Sequence, residues 1–220
     1  HLQCEYEETL GINDRDDLQK VEKFFQRNLK EKIKSNGVSL LDPNSIYLSY
    51  DTKIGKDSVI YPNVYFGPKV NVGDNVKIKS FSHLEGTYIN KNCEIGPFAR
   101  IRPNTNIEED VKVGNFVEIK HSKIKKNTKL SHLSYIGDAT IGKNTNIGAG
   151  SITCNFDGLK KHKTIIGDNC FIGSNTSLIA PIEVKKNSIV GAGTVVKRNI
   201  ESNSTVFRRS ELVNKKKGKV

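Results

Sequence analysis

The sequence contains no methionine and no tryptophan, and only 35% of its 220 residues are hydrophobic. No segment reaches the roughly 20 consecutive apolar residues that a membrane-spanning helix needs, and no basic segment followed by a short apolar stretch indicates a signal peptide. We therefore expect a soluble, cytoplasmic protein. Because position 1 is His1 rather than methionine, we also expect a processed product or a fragment of a longer protein.

The four cysteines are far apart and form no Cys-x-x-Cys pair; they are Cys4, Cys93, Cys154 and Cys170. This spacing is typical neither of a structural zinc site nor of a disulfide framework. We expect reduced thiols and predict no metal site.

The net charge of +11 suggests an anionic partner. Lysine and arginine gather within residues 123–129, 160–163, 208–209 and 215–217. Aromatic residues are not interleaved with these groups, as a platform for stacked bases would require. The pattern therefore favours a small anionic substrate over nucleic acid, whose phosphates would attract the same charges.

An amphipathic helix is predicted over residues 14–37. Asn13 or Asp14 can cap its first turn, and Gly37 follows its last turn. Its apolar stripe must pack on the rest of this chain or on a preceding domain. The stripe comprises Leu18, Val21, Phe24, Phe25, Leu29 and Ile33.

From Leu48 onward an apolar residue recurs every six positions, with occasional one-residue slips and often with glycine next to it. This repeat ladder is Leu48, Ile54, Ile60, Phe66, Val72, Ile78, Leu84, Ile89, Ile95, Ile101, Ile107, Val113, Ile119, Ile124, Leu130, Ile136, Ile141, Ile147, Ile166, Ile172, Leu178, Val184, Val190 and Val196. Such a period predicts an all-β parallel β-helix, in which each short strand supplies one inward side chain and stacked coils share one core. The ladder breaks at about 153–164, which predicts an excursion loop.

The period is similar to that of bacterial hexapeptide-repeat transferases. Their β-helix is left-handed, against the usual crossover rule, and has three strands per coil. This resemblance implies a left-handed parallel β-helix over residues 38–220, preceded by one helix and ending in a basic tail.

Several polar residues lie off the inward ladder: Arg102, Lys120, His132, Tyr135, Asn146 and Asn155. Coils stack at roughly 4.8 Å, so residues about 18 apart in sequence become neighbours. Arg102 and Lys120 have this separation, which predicts a paired cationic site for one phosphate. A lone histidine is more often surface than catalyst, but these neighbours favour a catalytic role for His132.

Five segments carry a more specific resemblance: IGPFARIRP, VGNFVEIK, SHLSYIGDATIG, NIGAGSITCNFDGLKKHKTIIGD and FIGSNTSLIAPIEV. They resemble the C-terminal acetyltransferase domain of the bifunctional enzymes that acetylate glucosamine 1-phosphate and then uridylylate the product to UDP-N-acetylglucosamine, a peptidoglycan and lipid A precursor. GINDRDDLQKVE resembles the end of the uridylyltransferase domain and its linking helix. Residues 1–13 are therefore expected to be a remnant of that domain.

The resemblance implies a role for each matching residue. His132 corresponds to the general base, which frees the 2-amino group to attack the thioester of acetyl-CoA. The sugar phosphate is assigned to Arg102, Lys120, Tyr135, Asn146 and Lys161. Acetyl-CoA is assigned to Ala149, Asn155, Phe156, Ser174, Ala192 and Arg209. A backbone N–H near Ala149 is a candidate donor to the oxyanion.

The resemblance also implies a homotrimer with active sites between subunits. Magnesium belongs only to the uridylyltransferase domain, whose glycine-rich nucleotide-binding start is absent from this sequence. Asn13 matches an asparagine that helps to hold magnesium there, and here we expect it to cap the helix.

The sequence departs from the family at three positions near the site. Phe156 replaces a tyrosine, which removes a hydroxyl but retains a ring. Ser131 stands where glycine is usual, beside His132, and Ser134 where threonine is common. The serine at 131 is the departure that could alter the backbone next to the histidine.

Three alternatives remain open. A hexapeptide acyltransferase with another acceptor, such as serine, a diaminopimelate precursor or a lipid A sugar, shares the fold and the base. A zinc carbonic anhydrase on the same fold needs three histidine ligands, and the spacing of His83, His121, His132 and His162 is not that of a ligand set. A non-catalytic or nucleic-acid-binding solenoid would leave the polar residues unexplained.

Overall fold

The computed structural model describes residues 9–208. Arg209, Cys4, most of the expected domain remnant and nearly all of the predicted basic tail lie outside the described residues.

One helix, α1 (Arg15–Ser35), precedes the strands. Asp14 is its N-cap, because its carboxylate accepts a hydrogen bond from the Asp17 N–H at 2.8 Å. Asn13 was the wrong alternative for the cap: its amide donates to Asp17 Oδ2 at 3.3 Å. Beyond the helix, Gly37 adopts a φ of 85°, a left-handed conformation that favours glycine.

The helix packs on the first coils of the solenoid through the C-terminal part of its apolar stripe. Ile33 is buried, and Gln26 holds the backbone of Leu48 from both sides, accepting from its N–H at 3.0 Å and donating to its carbonyl at 2.6 Å. Leu18 and Phe25 are 52% and 41% exposed. Only part of the predicted apolar stripe of α1 therefore packs on this chain.

Three parallel sheets form the faces of the solenoid. Face 1 consists of Ser39–Leu40, Val59–Ile60, Lys77–Ile78, Glu94–Ile95, Lys112–Asn115, Lys129–His132, Asn146–Ile147, Phe171–Ile172, Ile189–Val190 and Thr205–Val206. Face 2 consists of Tyr65–Phe66, His83–Leu84, Arg100–Ile101, Glu118–Lys120, Tyr135–Gly137, Ile152–Cys154, Ser177–Ile179 and Val195–Val196. Face 3 consists of Lys53–Ile54, Asn71–Val72, Thr87–Ile89, Thr105–Ile107, Lys123–Ile124, Ala139–Ile141, Thr164–Ile166 and Ile182–Val184. A short 3₁₀ helix, Pro43–Ser45, lies between the first two strands of the chain.

Every residue of the predicted repeat ladder is buried in one continuous core. Strands of the same face pair in register one coil apart, so Ile101 lies beside Ile119 and Leu130 beside Ile147. The hexapeptide period thus predicted both the strands and their inward residues. The predicted all-β, left-handed parallel β-helix with one preceding helix is confirmed.

The excursion loop leaves face 2 after Cys154 and returns to face 3 at Thr164. Within it, Asp157 closes a tight turn: its carboxylate accepts the N–H groups of Leu159 and Lys160, both at 2.8 Å, and lies 2.6 Å from His162 Nε2. The hydrogen bonds from the Lys160 N–H, from His162 and from the Leu159 N–H stabilise the carboxylate and lower the pKa of Asp157. The loop is therefore an ordered structure held by its own side chains.

Cys93, Cys154 and Cys170 are free thiols, as predicted. Burial raises the pKa of Cys93 to about 11, so this thiol stays protonated and unreactive at neutral pH. Within residues 9–208, α1 is neither apolar enough nor otherwise suited to cross a membrane, and no other helix of sufficient length occurs there.

Candidate active site

His132 ends its strand on face 1, and its exposed ring lies next to Asn115 of the preceding coil. The distance from His132 Nδ1 to Asn115 Oδ1 is 2.5 Å. Because the amide oxygen can only accept, this contact places the ring proton on Nδ1 and leaves the Nε2 lone pair available. This geometry is suited to proton acceptance at Nε2.

Asn115 was missed in the sequence analysis. It precedes His132 by one coil, which at this level has 17 residues rather than 18. The coil arithmetic that pairs Arg102 with Lys120 would have found it once the one-residue slips were included.

His132 stands in one column with three of the residues assigned to the coenzyme. The register of face 1 places Ala149, Ser174 and Ala192 at the equivalent position of the next three coils, each two residues beyond a buried ladder residue. The column lies at the edge between face 1 and face 2, which we call the base edge. Three coil steps of about 4.8 Å make it roughly 14 Å long.

Two glycines allow the coils to approach closely along the base edge. A Cβ atom at Gly148 would collide with the backbone nitrogen of Ser174, and one at Gly173 with that of Ala192. The carbonyl of Ala149 accepts the Asn175 N–H at 2.7 Å, and that of Ser174 accepts the Gly193 N–H at 2.8 Å. A narrow strip of small residues therefore leads to His132.

The two serine departures lie on either side of the histidine, and the structure shows the backbone contacts of both. Gly114 provides the space for the Ser131 backbone, since a Cβ at 114 would collide with the Ser131 carbonyl. Buried Ser134 donates its hydroxyl to the His132 carbonyl at 2.9 Å. A threonine hydroxyl could make the same bond, so this substitution retains the donor.

A cationic pocket of about 560 Å³ opens at the other edge of face 2, towards face 3. The phosphate pocket, as we call it, is lined by Arg102, Pro103, Asn104, Lys120, His121, Asp138, Lys161, His162 and Lys163. Arg102 and Lys120 occupy equivalent positions on adjacent coils, as their separation of 18 predicts, with the Arg102 N–H bound to the Ile119 carbonyl at 2.8 Å. The guanidinium also donates to Glu118 at 2.8 Å.

Crowded positive charge makes this pocket suited to an anion. The Lys161 ammonium, and after it Arg102, lower the pKa of Lys120. A bound dianionic phosphate would relieve that repulsion. Arg102, Lys120 and Lys161 were predicted from the sequence as phosphate ligands, whereas Lys163 and the two histidines of the lining were not.

Asp138 connects the phosphate pocket to the start of the excursion loop. Its side chain is 8% exposed, and its two carboxylate oxygens lie 2.5 Å from His121 Nδ1 and 2.5 Å from Asn155 Nδ2. Burial raises the pKa of Asp138, but the hydrogen bonds from His121 and Asn155 outweigh that effect and hold this pKa below its ordinary value. Asp138 was also missed, although it lies 17 residues after His121, one coil away.

Tyr135 and Asn155 meet above Gly137 on face 2. A Cβ at Gly137 would lie 2.5 Å from the Tyr135 hydroxyl and 2.7 Å from Asn155 Nδ2. Asn155 is buried, whereas Phe156, at the start of the loop, is 60% exposed. A residue assigned to the sugar phosphate and one assigned to the coenzyme are thus adjacent here.

Asn146 lies instead on the outer surface of face 1, beside Lys129 and Phe171. Its strand, Asn146–Ile147, lies one coil after the strand that ends at His132.

The base edge and the phosphate pocket lie on opposite sides of face 2. Lys120 pairs with Gly137, and His132 precedes Gly137 by five residues, a span of at most about 18 Å. His132, Tyr135 and Asn146 are absent from the lining of the phosphate pocket, so the chain does not gather all the predicted site residues into that pocket. Within the described residues, no three His, Cys, Asp or Glu side chains converge as metal ligands would.

Three segments of the chain match known families. Residues 83–170 match the GMPPB C-terminal domain, residues 51–86 the bacterial transferase hexapeptide (six repeats), and residues 163–198 the hexapeptide repeat of succinyl-transferase. All three matches fall on the solenoid.

Curated relatives are similar over nearly the whole chain. The bifunctional protein GlmU of Wolbachia pipientis wMel is 48% identical over 210 residues, which are 96% of this chain and 49% of that protein. The bifunctional protein GlmU of Bradyrhizobium diazoefficiens is 51% identical over 210 residues, 96% of this chain and 47% of that protein. The chain thus spans about half the length of these relatives.

Two solved structures support the fold. The UDP-N-acetylglucosamine O-acyltransferase (LpxA) of Moraxella catarrhalis matches with a TM-score of 0.51 at 13% identity, over 78% of this chain and 69% of that chain. The Arabidopsis UDP-N-acetylglucosamine acyltransferase matches with a TM-score of 0.51 at 16% identity, over 74% of this chain and 70% of that chain. At such identities the likeness concerns the fold alone.

Proposed function

We propose that the chain transfers the acetyl group of acetyl-CoA to the 2-amino group of glucosamine 1-phosphate. Its similarity to about half of each of the bifunctional GlmU proteins supports this proposal. The product, N-acetylglucosamine 1-phosphate, would feed UDP-N-acetylglucosamine synthesis. The observation that carries the proposal is the position of His132, held by Asn115 at the end of a strip of small residues.

His132 Nε2 takes a proton from the 2-ammonium, because only the free amine can attack the thioester carbonyl. The new C–N bond gives a tetrahedral oxyanion, which collapses as the C–S bond breaks. The proton held by His132 then goes to the departing coenzyme A sulfur, and the proton lost by the amide nitrogen goes to solvent. The His132–Asn115 contact supports this role because, in the neutral ring, it places the proton on Nδ1 and the lone pair on Nε2.

The pantetheine arm of acetyl-CoA would lie along Ala149, Ser174 and Ala192, where the absence of large side chains leaves room beside the backbone. Asn155 and Phe156 would flank it from the loop, and Arg209 would meet the nucleotide phosphates. The sugar phosphate would bind Arg102, Lys120 and Lys161 in the phosphate pocket, with Tyr135 and Asn146 contacting the sugar.

We propose that the active enzyme is a homotrimer and that each site combines the base edge of one subunit with the phosphate pocket of a neighbour. Two observations support this. The two parts of the site lie on opposite sides of face 2 in one chain. An apolar ridge also runs beside His132 on the base edge, consisting of Phe81, Phe98, Phe116 and Leu133.

This apolar ridge is exposed by 44–61%, and its three rings stack at centroid distances of 5.0 Å. All four residues have φ between 52° and 60°, a left-handed conformation that bulky side chains adopt at a cost. The corners elsewhere use mainly asparagine and aspartate for this conformation. An apolar ridge retained at that cost is suited to burial against a second copy of the chain.

In this proposal magnesium would serve a uridylyltransferase domain rather than the acetyl transfer. The amide of Asn13 here contacts Asp17 of α1.

The decisive experiment mixes the chain with acetyl-CoA and glucosamine 1-phosphate and follows the release of free thiol. We expect release with glucosamine 1-phosphate but not with serine or with a lipid A sugar nucleotide. Release only with another amino or hydroxyl acceptor would identify a different hexapeptide acyltransferase. Absence of release with every acceptor, from folded chain, would refute the proposal.

A further inference from the structure

We propose that Asp138 is a positioning residue that anchors both ends of the excursion loop and thereby holds the phosphate pocket and Asn155 in one arrangement. This inference rests on the proposed function for its kinetic consequences, but not for its structural ones. Asp138 itself would contact neither substrate.

Four hydrogen bonds converge on this residue. Its carboxylate accepts from His121 in the pocket and from Asn155 at the start of the loop, both at 2.5 Å. Its N–H donates to the Lys120 carbonyl at 3.1 Å, and its carbonyl accepts the N–H of Thr164, where the loop ends, at 3.2 Å. The loop thus leaves from and returns to the same residue.

The negative charge of Asp138 indicates that its carboxylate binds protein donors rather than the substrate phosphate. Among the described residues that line the phosphate pocket, Asp138 alone is acidic, against four lysine and arginine side chains. A carboxylate aimed at a phosphate would repel it. A buried carboxylate is tolerated where donors satisfy it, and here each oxygen has a donor from a different substrate-binding segment.

Comparison with another corner aspartate shows what is particular to Asp138. Asp110 has the same left-handed backbone, with a φ of 60° against 50° for Asp138. Its side chain is 37% exposed and contacts only surface groups, Asn92 and Lys126. A left-handed turn therefore does not itself require the buried contacts that Asp138 makes.

The role of Asp138 can be tested by exchanging donor and acceptor between Asp138 and Asn155. Asp138→Asn keeps the shape of the side chain but has one acceptor oxygen and one donor amide, so it can no longer accept from both His121 and Asn155. In the double variant Asp138→Asn, Asn155→Asp, the new amide donates to the new carboxylate and its oxygen still accepts from His121. The net charge is unchanged.

The loop carries Lys160, Lys161 and Lys163, so trypsin reports its release. We expect Asp138→Asn to be cleaved at these lysines roughly tenfold faster than the wild type, because cleavage follows the open population and a buried hydrogen bond is lost. Asp110→Asn should be cleaved at the wild-type rate, and the double variant should return most of the way to that rate. Far-UV circular dichroism should show an intact β-helix throughout.

Cleavage of Asp138→Asn at the wild-type rate, or equal rates for the single and double variants, would overturn the proposal. In the acetyl transfer assay, Asp138→Asn should raise the KM for glucosamine 1-phosphate and for acetyl-CoA together, with kcat changed less. A rise in neither KM would overturn the kinetic part. Because trypsin needs no substrate, a chain without acetyltransferase activity but with accelerated, rescued cleavage would refute the proposed function and leave the anchor standing.

Discussion

Asn115 Oδ1 lies 2.5 Å from Nδ1 of His132, on adjacent coils of face 1. The amide oxygen has no proton to donate, so in the neutral imidazole it selects the tautomer with the proton on Nδ1 and fixes the direction of Nε2. The strip formed by Ala149, Ser174 and Ala192 starts at this pair. The same edge would thus orient the proposed base and give the proposed coenzyme access to it.

Replacement of the base is the first test of this arrangement. His132→Ala should lower kcat/KM by about 10²- to 10⁴-fold, the usual contribution of a general base, while coenzyme A binding stays near that of the wild type. Thiol release and calorimetry measure the two quantities. His83→Ala, which alters a histidine whose ring packs at a tilt against Tyr65 on face 2, is the control and should retain activity. Equal activity of His132→Ala and the control would assign the base elsewhere.

The Asn115 contact predicts a second effect on the same rate. Asn115→Leu removes the acceptor and should lower kcat by roughly tenfold, since the imidazole loses its preferred tautomer and orientation. Asn115→Asp retains an acceptor oxygen and should keep more activity than the leucine variant. Steady-state kinetics compare the two. If both variants lost activity equally, the side-chain oxygen would have no orienting role.

The crowding of Lys120 predicts a pH dependence of sugar phosphate binding. Lys161 and Arg102 lower the pKa of Lys120 below that of an isolated lysine. Its ammonium therefore loses its proton, and the pocket loses one positive charge, at a lower pH than an isolated lysine would. The KM for glucosamine 1-phosphate should therefore begin to rise below pH 10.5, the ordinary pKa of a lysine side chain. In Lys161→Ala the rise should move to higher pH, although the KM at neutral pH increases. An unshifted profile in that variant would contradict the coupling.

The apolar ridge predicts the oligomeric state. Phe98→Asp places a charge in the middle of three stacked rings and should dissociate the proposed trimer, with loss of thiol release. Light scattering measures the mass of the particle in solution. Tyr88→Asp, at an exposed aromatic residue of face 3, is the matched control and should remain assembled. A fully active monomer would refute the intersubunit site.

Much of the fold was readable because a β-helix converts sequence distance into spatial distance. Each strand needs one inward residue, so the six-residue period identifies the core residues directly. Phe66 and Leu130 could therefore be assigned to the core without knowledge of any distant contact. The same arithmetic paired Arg102 with Lys120. It failed for Asn115 and Asp138 because a one-residue slip shortens their coils to 17 residues.

The sequence by itself determined the β-helix, its buried ladder and the identity of the polar residues that lie off the ladder, because these depend on a local period. Only the tertiary structure decided that His132 and Lys120 lie at opposite edges of face 2. It also decided that both ends of the excursion loop bind Asp138. The loop has no period, so its path depends on hydrogen bonds to other coils. Which side chains meet across those coils is decided by the register of the stacked strands.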